Sequence, residues 1–99
     1  MYHNIKEYQD ALKCFSNVLE KIKDDKTVFL ARGLVYQDMG NHSKAINDFS
    51  DAIKNDPHLI DGYFYRGVSK SYSKMFKDAI KDFERAQAEE RLRKEEDAL

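Results

Sequence analysis

At 99 residues and a formal net charge of -1, the chain is one small domain with a single modest core, and it exerts no long-range pull on nucleic acid or an acidic membrane. Hydrophobic residues are 41% and charged residues 35%, with one proline, four glycines and no tryptophan, a scarcity of breakers that favours helices over a turn-rich sheet. Cys14 is the single cysteine, which excludes an internal disulfide and a secreted disulfide framework.

The opening residues MYHNIKEYQD lack the basic and then apolar order of a signal peptide, and no apolar run reaches the length of a membrane span. The expected compartment is cytoplasmic, for a chain that a larger parent protein could contain. From about Ile5 to Lys23, Tyr8, Ala11, Leu12, Phe15, Val18, Leu19 and Ile22 fall at spacings of three and four, one stripe of a helix. Lys23, Asp24 and Asp25 then make a polar turn, Asp25 being placed to cap the next helix.

That helix is predicted over Lys26 to Met39 and closed by Gly40 and Asn41, since glycine is free to adopt the left-handed conformation that ends a helix. A third helix follows over His42 to Asn55, and Asp56 and Pro57 break it. A fourth spans Leu59 to Tyr72. The last begins near Phe76 and, with Arg91 where Pro57 stood one unit earlier, continues to about Asp97. Its tail, AEERLRKEEDAL, pairs Glu89 with Arg93, Glu90 with Lys94 and Arg91 with Glu95 at helical spacing, which reads as a solvated extension or cap.

The elements are copies of one unit. Arg32, Gly33, Ala45, Ile46, Asp48, Phe49 and Ala52 recur thirty-four residues on as Arg66, Gly67, Ala79, Ile80, Asp82, Phe83 and Ala86. In the other direction Tyr2, Ala11, Phe15 and Val18 fall under Tyr36, Ala45, Phe49 and Ala52. Such a period, with helical spacing inside it, marks a solenoid of stacked helix pairs. The expected fold is therefore all-α, an α-solenoid of antiparallel helix hairpins with an extended C-terminal helix. Residues 1–25 are a partial repeat holding its second helix, 26–59 a full repeat, and 60–99 a full repeat ending in the extension.

The unit resembles the tetratricopeptide repeat, which places an aromatic, a small residue and a tyrosine on its first helix and alanine, an aromatic, alanine and proline on its second. Here those places hold Phe29, Gly33, Tyr36, Ala45, Phe49, Ala52 and Pro57, then Tyr63, Gly67, Lys70, Ala79, Phe83, Ala86 and Arg91. Lys70 and Arg91 depart from the pattern and make the last unit look terminal. Small residues such as Gly33, Gly67 and the alanines belong where helices approach to roughly 8 to 10 Å, with Phe49 and Phe83 filling the space between hairpins. Arg32 and Arg66 stand where the family more usually has leucine, and each complete unit also carries Asp48 or Asp82. The incomplete first unit has Cys14 there instead. This predicts ion pairs inside each hairpin, Arg32 with Asp48 and Arg66 with Asp82, the planar guanidinium suiting a half-buried carboxylate.

The resemblance implies a concave face lined by first helices. Counted from the motif, it presents Thr27, Leu30, Ala31, Leu34, Gln37 and Asp38, then Asp61, Phe64, Tyr65, Val68, Ser71 and Tyr72. An apolar, aromatic row of this kind suits an amphipathic helix or an extended peptide, although Leu30, Leu34, Phe64 and Val68 are equally placed to pack neighbouring helices. Family members that grip the carboxylate tail of heat-shock chaperones resemble one another in carrying lysine, asparagine and arginine on this face. Leu30, Leu34, Ala31, Asp61 and Tyr65 occupy those places, so that clamp is absent.

His3, His42 and His58 lack the spacing of a zinc site and are expected as exposed turn residues; no glycine-rich phosphate loop occurs, and Cys14 reads as a packed or interface thiol. No cofactor, metal or catalytic group is expected. The reading is a non-enzymatic scaffold binding a protein or peptide partner along Leu30, Leu34, Asp38, Asp61, Phe64, Tyr65, Val68 and Tyr72, without nucleic acid or membrane. The alternative is self-association: the half repeat leaves Tyr8, Leu12 and Phe15 short of cover, and a homodimer would supply it.

Overall fold

The computed structural model describes residues 5–98, so Tyr2 and His3 lie outside the described residues. The described residues form five helices and no strand: α1 (Ile5–Lys21), α2 (Lys26–Asp38), α3 (His42–Asn55), α4 (Ile60–Tyr72) and α5 (Phe76–Ala98). The all-α expectation holds, with the helix boundaries within two residues of those read from the sequence.

Local chemistry explains each boundary. The Asp25 carboxylate accepts from the amides of Thr27 and Val28 at 2.9 and 3.2 Å, satisfying two of the free donors at the start of α2. Asn41 does the same for Lys44 at the start of α3. Gly40, at φ 81°, turns the chain between α2 and α3. The equivalent turn between α4 and α5 uses Lys74 at φ 65°, a conformation that costs a residue with a side chain. Beyond Glu89 nothing breaks α5, and Arg91 continues it where Pro57 had stopped its predecessor, so α5 runs 23 residues against 14 for α3.

α2 packs on α3 and α4 on α5 as antiparallel hairpins, α4 lies across α3, and α1 packs against α2. The slab measures 45 × 32 × 22 Å. Its core is Val35, Ala45, Phe49, Ala52, Tyr63, Ala79 and Ala86, all buried. A Cβ added at Gly33 would lie 2.6 Å from Phe49 Cε1, and one at Gly67 2.8 Å from Phe83 Cε1. The two phenylalanines therefore sit within their own hairpins, against the facing glycine, rather than only between hairpins as the sequence suggested. Gly62 was not singled out by the repeat, yet it lets α4 cross α3 over Ile53, whose Cγ1 would be 2.9 Å from an added Cβ.

Polar groups inside this framework are matched. Arg32 donates from Nε and Nη2 to both Asp48 oxygens at 2.8 and 2.7 Å, and Arg66 to Asp82 at 2.9 and 2.8 Å. Asp48 and Asp82 are buried. Each arginine also reaches back, Nη1 donating to Ser16 at 3.3 Å or Ser50 at 3.2 Å on the preceding second helix. One guanidinium thus joins three helices. Asp48 raises the Arg32 guanidinium above its ordinary range through this hydrogen bond, against the opposing effect of desolvation. Lys70, the departure from the family's tyrosine, lies 3.1 Å from Asp82 and serves as a second cation on that carboxylate.

Candidate functional site

The first helices of the two hairpins, α2 and α4, lie side by side, and a polar pin holds them. Gln37 Nε2 donates to the Tyr65 carbonyl at 3.0 Å and to Ser69 Oγ at 2.7 Å. Ser69 is fully buried, and His42 Nδ1 lies 3.2 Å from the same hydroxyl. The His42 ring in turn stacks on Tyr72, with centroids 4.8 Å apart and 4° between planes. His42 is therefore not the idle turn residue the sequence suggested. Ser69 escaped the sequence reading although a signal existed: it stands thirty-four residues after buried Val35, a hydroxyl at a core position that needs a partner.

The expected binding residues do not form one continuous row. Asp38, Val68 and Tyr72, with Gln37, Gly40 and His42, line a shallow depression of 360 Å³ at one end of the α2/α4 surface. Asp61 and Phe64 lie instead on a groove of 840 Å³ between α4 and the long α5, with Ile60, Phe83, Ala86 and Gln87. Leu30 and Leu34 are half-buried on α2 and line neither depression. Tyr65 is half-buried between the two places, 6.1 Å from the Phe49 ring and 5.4 Å from Phe64, and Phe64 lies 5.8 Å from Phe83. Four rings thus run in contact from the core of one hairpin to the edge of the next. Tyr65 packs the hairpins together, whereas Tyr72 is 70% exposed and held by its stack on His42.

The C-terminal tail departs from its expected pairing. Glu89 is buried, not solvated; it accepts from Arg85 Nε at 3.1 Å and from His58 Nδ1 at 2.9 Å rather than meeting Arg93. A carboxylate can only accept, so His58 carries its proton on Nδ1 in this contact. The His58 bond, seconded by Arg85, holds the Glu89 carboxyl below the usual glutamate range. Arg85 also lies 5.1 Å over the Tyr63 ring, whose other neighbour is Arg66 at 5.7 Å, while the Tyr63 hydroxyl donates to the Pro57 carbonyl at 2.8 Å. Glu90 and Lys94 do pair, at 3.5 Å. Asp56 is lowered by its 2.6 Å bond from Lys26, helped by the His58 amide.

Among the described residues no three potential ligands gather as a metal site, and no helix is long and apolar enough to cross a membrane. Cys14 is exposed on α1.

Comparison with known proteins agrees with the repeat. Residues 27–59 match the family model described as tetratricopeptide repeat. The human serine/threonine-protein phosphatase 5 is 29% identical over 83 residues, which span 84% of this chain and 17% of that protein. The mouse tetratricopeptide repeat protein 12 is 32% identical over 72 residues, 69% of this chain and 10% of the other. The chain thus spans less than a fifth of either relative. Among solved structures, MamA superposes with a TM-score of 0.88 at 26% identity, over 92% of this chain and 53% of that one. The second repeat domain of Spaghetti (RPAP3), solved with an HSP90 peptide, superposes at 0.80 with 20% identity, over 82% of this chain and 75% of that one. With the family model on the central unit, the same pattern recurring in the next, and this architecture throughout, the chain belongs to the tetratricopeptide repeat proteins.

Proposed function

We propose that the chain is a non-enzymatic protein-interaction scaffold that takes a peptide segment across the α2/α4 surface, over Val68 and Tyr72 with Asp38 at the rim. The observation that carries this reading is Tyr72: a large ring, 70% exposed, held flat against His42 beside a depression. Fixing an exposed aromatic before binding removes part of the entropic cost of binding, which is what a recognition surface gains from rigidity. Leu34 and Leu30 extend the surface along α2. The HSP90 peptide of the RPAP3 structure is not the proposed ligand, because Leu30, Leu34, Ala31, Asp61 and Tyr65 stand where a carboxylate clamp would need cations and amides.

Selection from a displayed random-peptide library on the immobilised chain tests the proposal. Selected peptides should lose at least tenfold in affinity for Tyr72→Ala while the far-ultraviolet circular dichroism stays unchanged. Peptides indifferent to Tyr72→Ala and Val68→Glu place the site elsewhere. Tyr65→Ala is the wrong probe, since Tyr65 packs on Phe49.

A second reading, self-association through α1, is favoured by one observation. α1 contains no buried residue, Ile5 and Val18 are exposed on it at 69% and 37%, and Ile22 just beyond its end is exposed at 56%. Sedimentation across a hundredfold concentration range separates the two readings: a dimer abolished by Val18→Glu supports it, and a strict monomer removes it.

A further inference from the structure

Tyr72 and Asp38 share the 360 Å³ depression on the α2/α4 surface, and each lacks a partner that several similar groups elsewhere in the chain possess. Tyr36 carries Lys44 over its ring at 5.5 Å, and Tyr63 carries Arg66 and Arg85 at 5.7 and 5.1 Å. Tyr72, 70% exposed, has His42 stacked on one face and, among the described residues, no cation on the other. Asp48, Asp56 and Asp82 are each held by a lysine or an arginine. Asp38 is exposed and has no cation within ion-pair distance among the described residues.

The helix that ends there has the same deficit. α1, α3 and α4 place Lys21, Lys54 and Lys70 in their last turns, where a cation offsets the negative end of the helix dipole; α2 has no basic residue in its last turn and ends on Asp38. A carboxylate, an uncompensated helix C-terminus and an open ring face thus meet in one depression, and no lysine or arginine lines it. Lys44 and Lys70, close by in sequence, are turned to Tyr36 and Asp82 instead, and Lys74, on the turn after Tyr72, does not line it. The remaining ionisable group in the lining, His42, is engaged through Nδ1 with the Ser69 hydroxyl and through its ring with Tyr72.

We propose that this depression receives an arginine side chain of the bound peptide, a specificity that rests on the α2/α4 reading above and goes beyond it. The planar guanidinium can lie on the open face of Tyr72 while its edge donates to the Asp38 carboxylate, a combination of stacking and hydrogen bonding that an ammonium cannot make. His42 already holds Tyr72, so the cation meets a fixed ring and less freedom is lost on binding. The partner is therefore a segment with an arginine beside apolar residues that cover Val68, and an acidic segment is repelled by Asp38.

Two titrations onto the full chain at about pH 8, where an ordinary imidazole is uncharged, test this. In the first, N-acetyl-arginine methylamide is added at millimolar concentration to the ¹⁵N-labelled chain, with the neutral citrulline analogue as control. Amide shifts are expected at Asp38, Gly40 and Tyr72, larger for arginine than for citrulline and removed by Asp38→Asn, an exposed position whose change leaves the fold intact. Equal shifts for the two compounds, or arginine shifts that Asp38→Asn leaves unaltered, overturn the proposal. In the second, peptides selected from the random library should contain an arginine. Its replacement by citrulline should cost about tenfold in affinity and Asp38→Asn about fivefold, and the Asp38→Asn loss should vanish for the citrulline peptide. Peptides that need Tyr72 but are indifferent to Asp38→Asn and to the loss of arginine overturn this inference and leave the α2/α4 surface standing. Peptides indifferent to Tyr72→Ala and Val68→Glu remove both.

Discussion

Arg66 grips Asp82 through two parallel hydrogen bonds of 2.9 and 2.8 Å, and Lys70 reaches the same carboxylate at 3.1 Å. Its counterpart Arg32 grips Asp48 in the same bidentate way, but position 36 there is a tyrosine, whose ring faces Lys44 instead. The two buried carboxylates therefore have different protection. Arg32→Met leaves Asp48 buried without a cation and is expected to cost about 3 kcal/mol, the lower end for an orphaned buried charge because the guanidinium is itself part-exposed. Arg66→Met should cost less, since Lys70 remains on Asp82. Urea unfolding of both variants checks the order, and Arg66→Met with Lys70→Met should restore the larger loss.

Gly33→Ala puts a methyl 2.6 Å from the Phe49 ring, which is fully buried and has no room to retreat. Overpacking of this kind costs about 1 to 3 kcal/mol. A smaller loss is expected when Phe49→Leu accompanies it than the two single losses summed, because the methyl then occupies space the ring has vacated. Thermal unfolding of the four proteins in the cycle measures the coupling.

Lys74 occupies the left-handed region at φ 65° in a turn whose earlier copy uses Gly40 at φ 81°. Lys74→Gly should raise stability by up to about 1 kcal/mol, the relief of backbone strain exceeding the added freedom of the unfolded chain. An unchanged or lower denaturation midpoint would refute this.

The Glu89 and Asp56 carboxyls are both lowered in the folded chain, Glu89 chiefly by the His58 hydrogen bond and Asp56 chiefly by Lys26. A lowered folded-state value means that the unfolded chain binds protons more readily. The associated stability is thus fully present above the ordinary carboxylate range and is lost as pH falls through the folded values. Stability measured from pH 6 down to pH 2 should decline less steeply for Glu89→Gln and for Lys26→Met than for the unmodified chain. Parallel acid limbs would show that neither carboxyl is coupled to folding.

The repeat unit, the helix count, both arginine–aspartate pairs and the long last helix were legible in the chain itself, because each rests on residues near in sequence or recurring at a constant interval. Asp25 and Gly40 act on their immediate neighbours, and Arg32 and Asp48 recur together as Arg66 and Asp82. The tertiary arrangement alone decided the rest. The tilt of α4 over α3 sends Phe64 toward Phe83 and leaves Tyr72 on His42, dividing an expected row into two surfaces. Glu89 is drawn to His58, a partner 31 residues back, rather than to Arg93 one turn ahead. Periodicity states which side of a helix is apolar, but which neighbour meets that side depends on crossing angle and helix length, and those are set by contacts far apart along the chain.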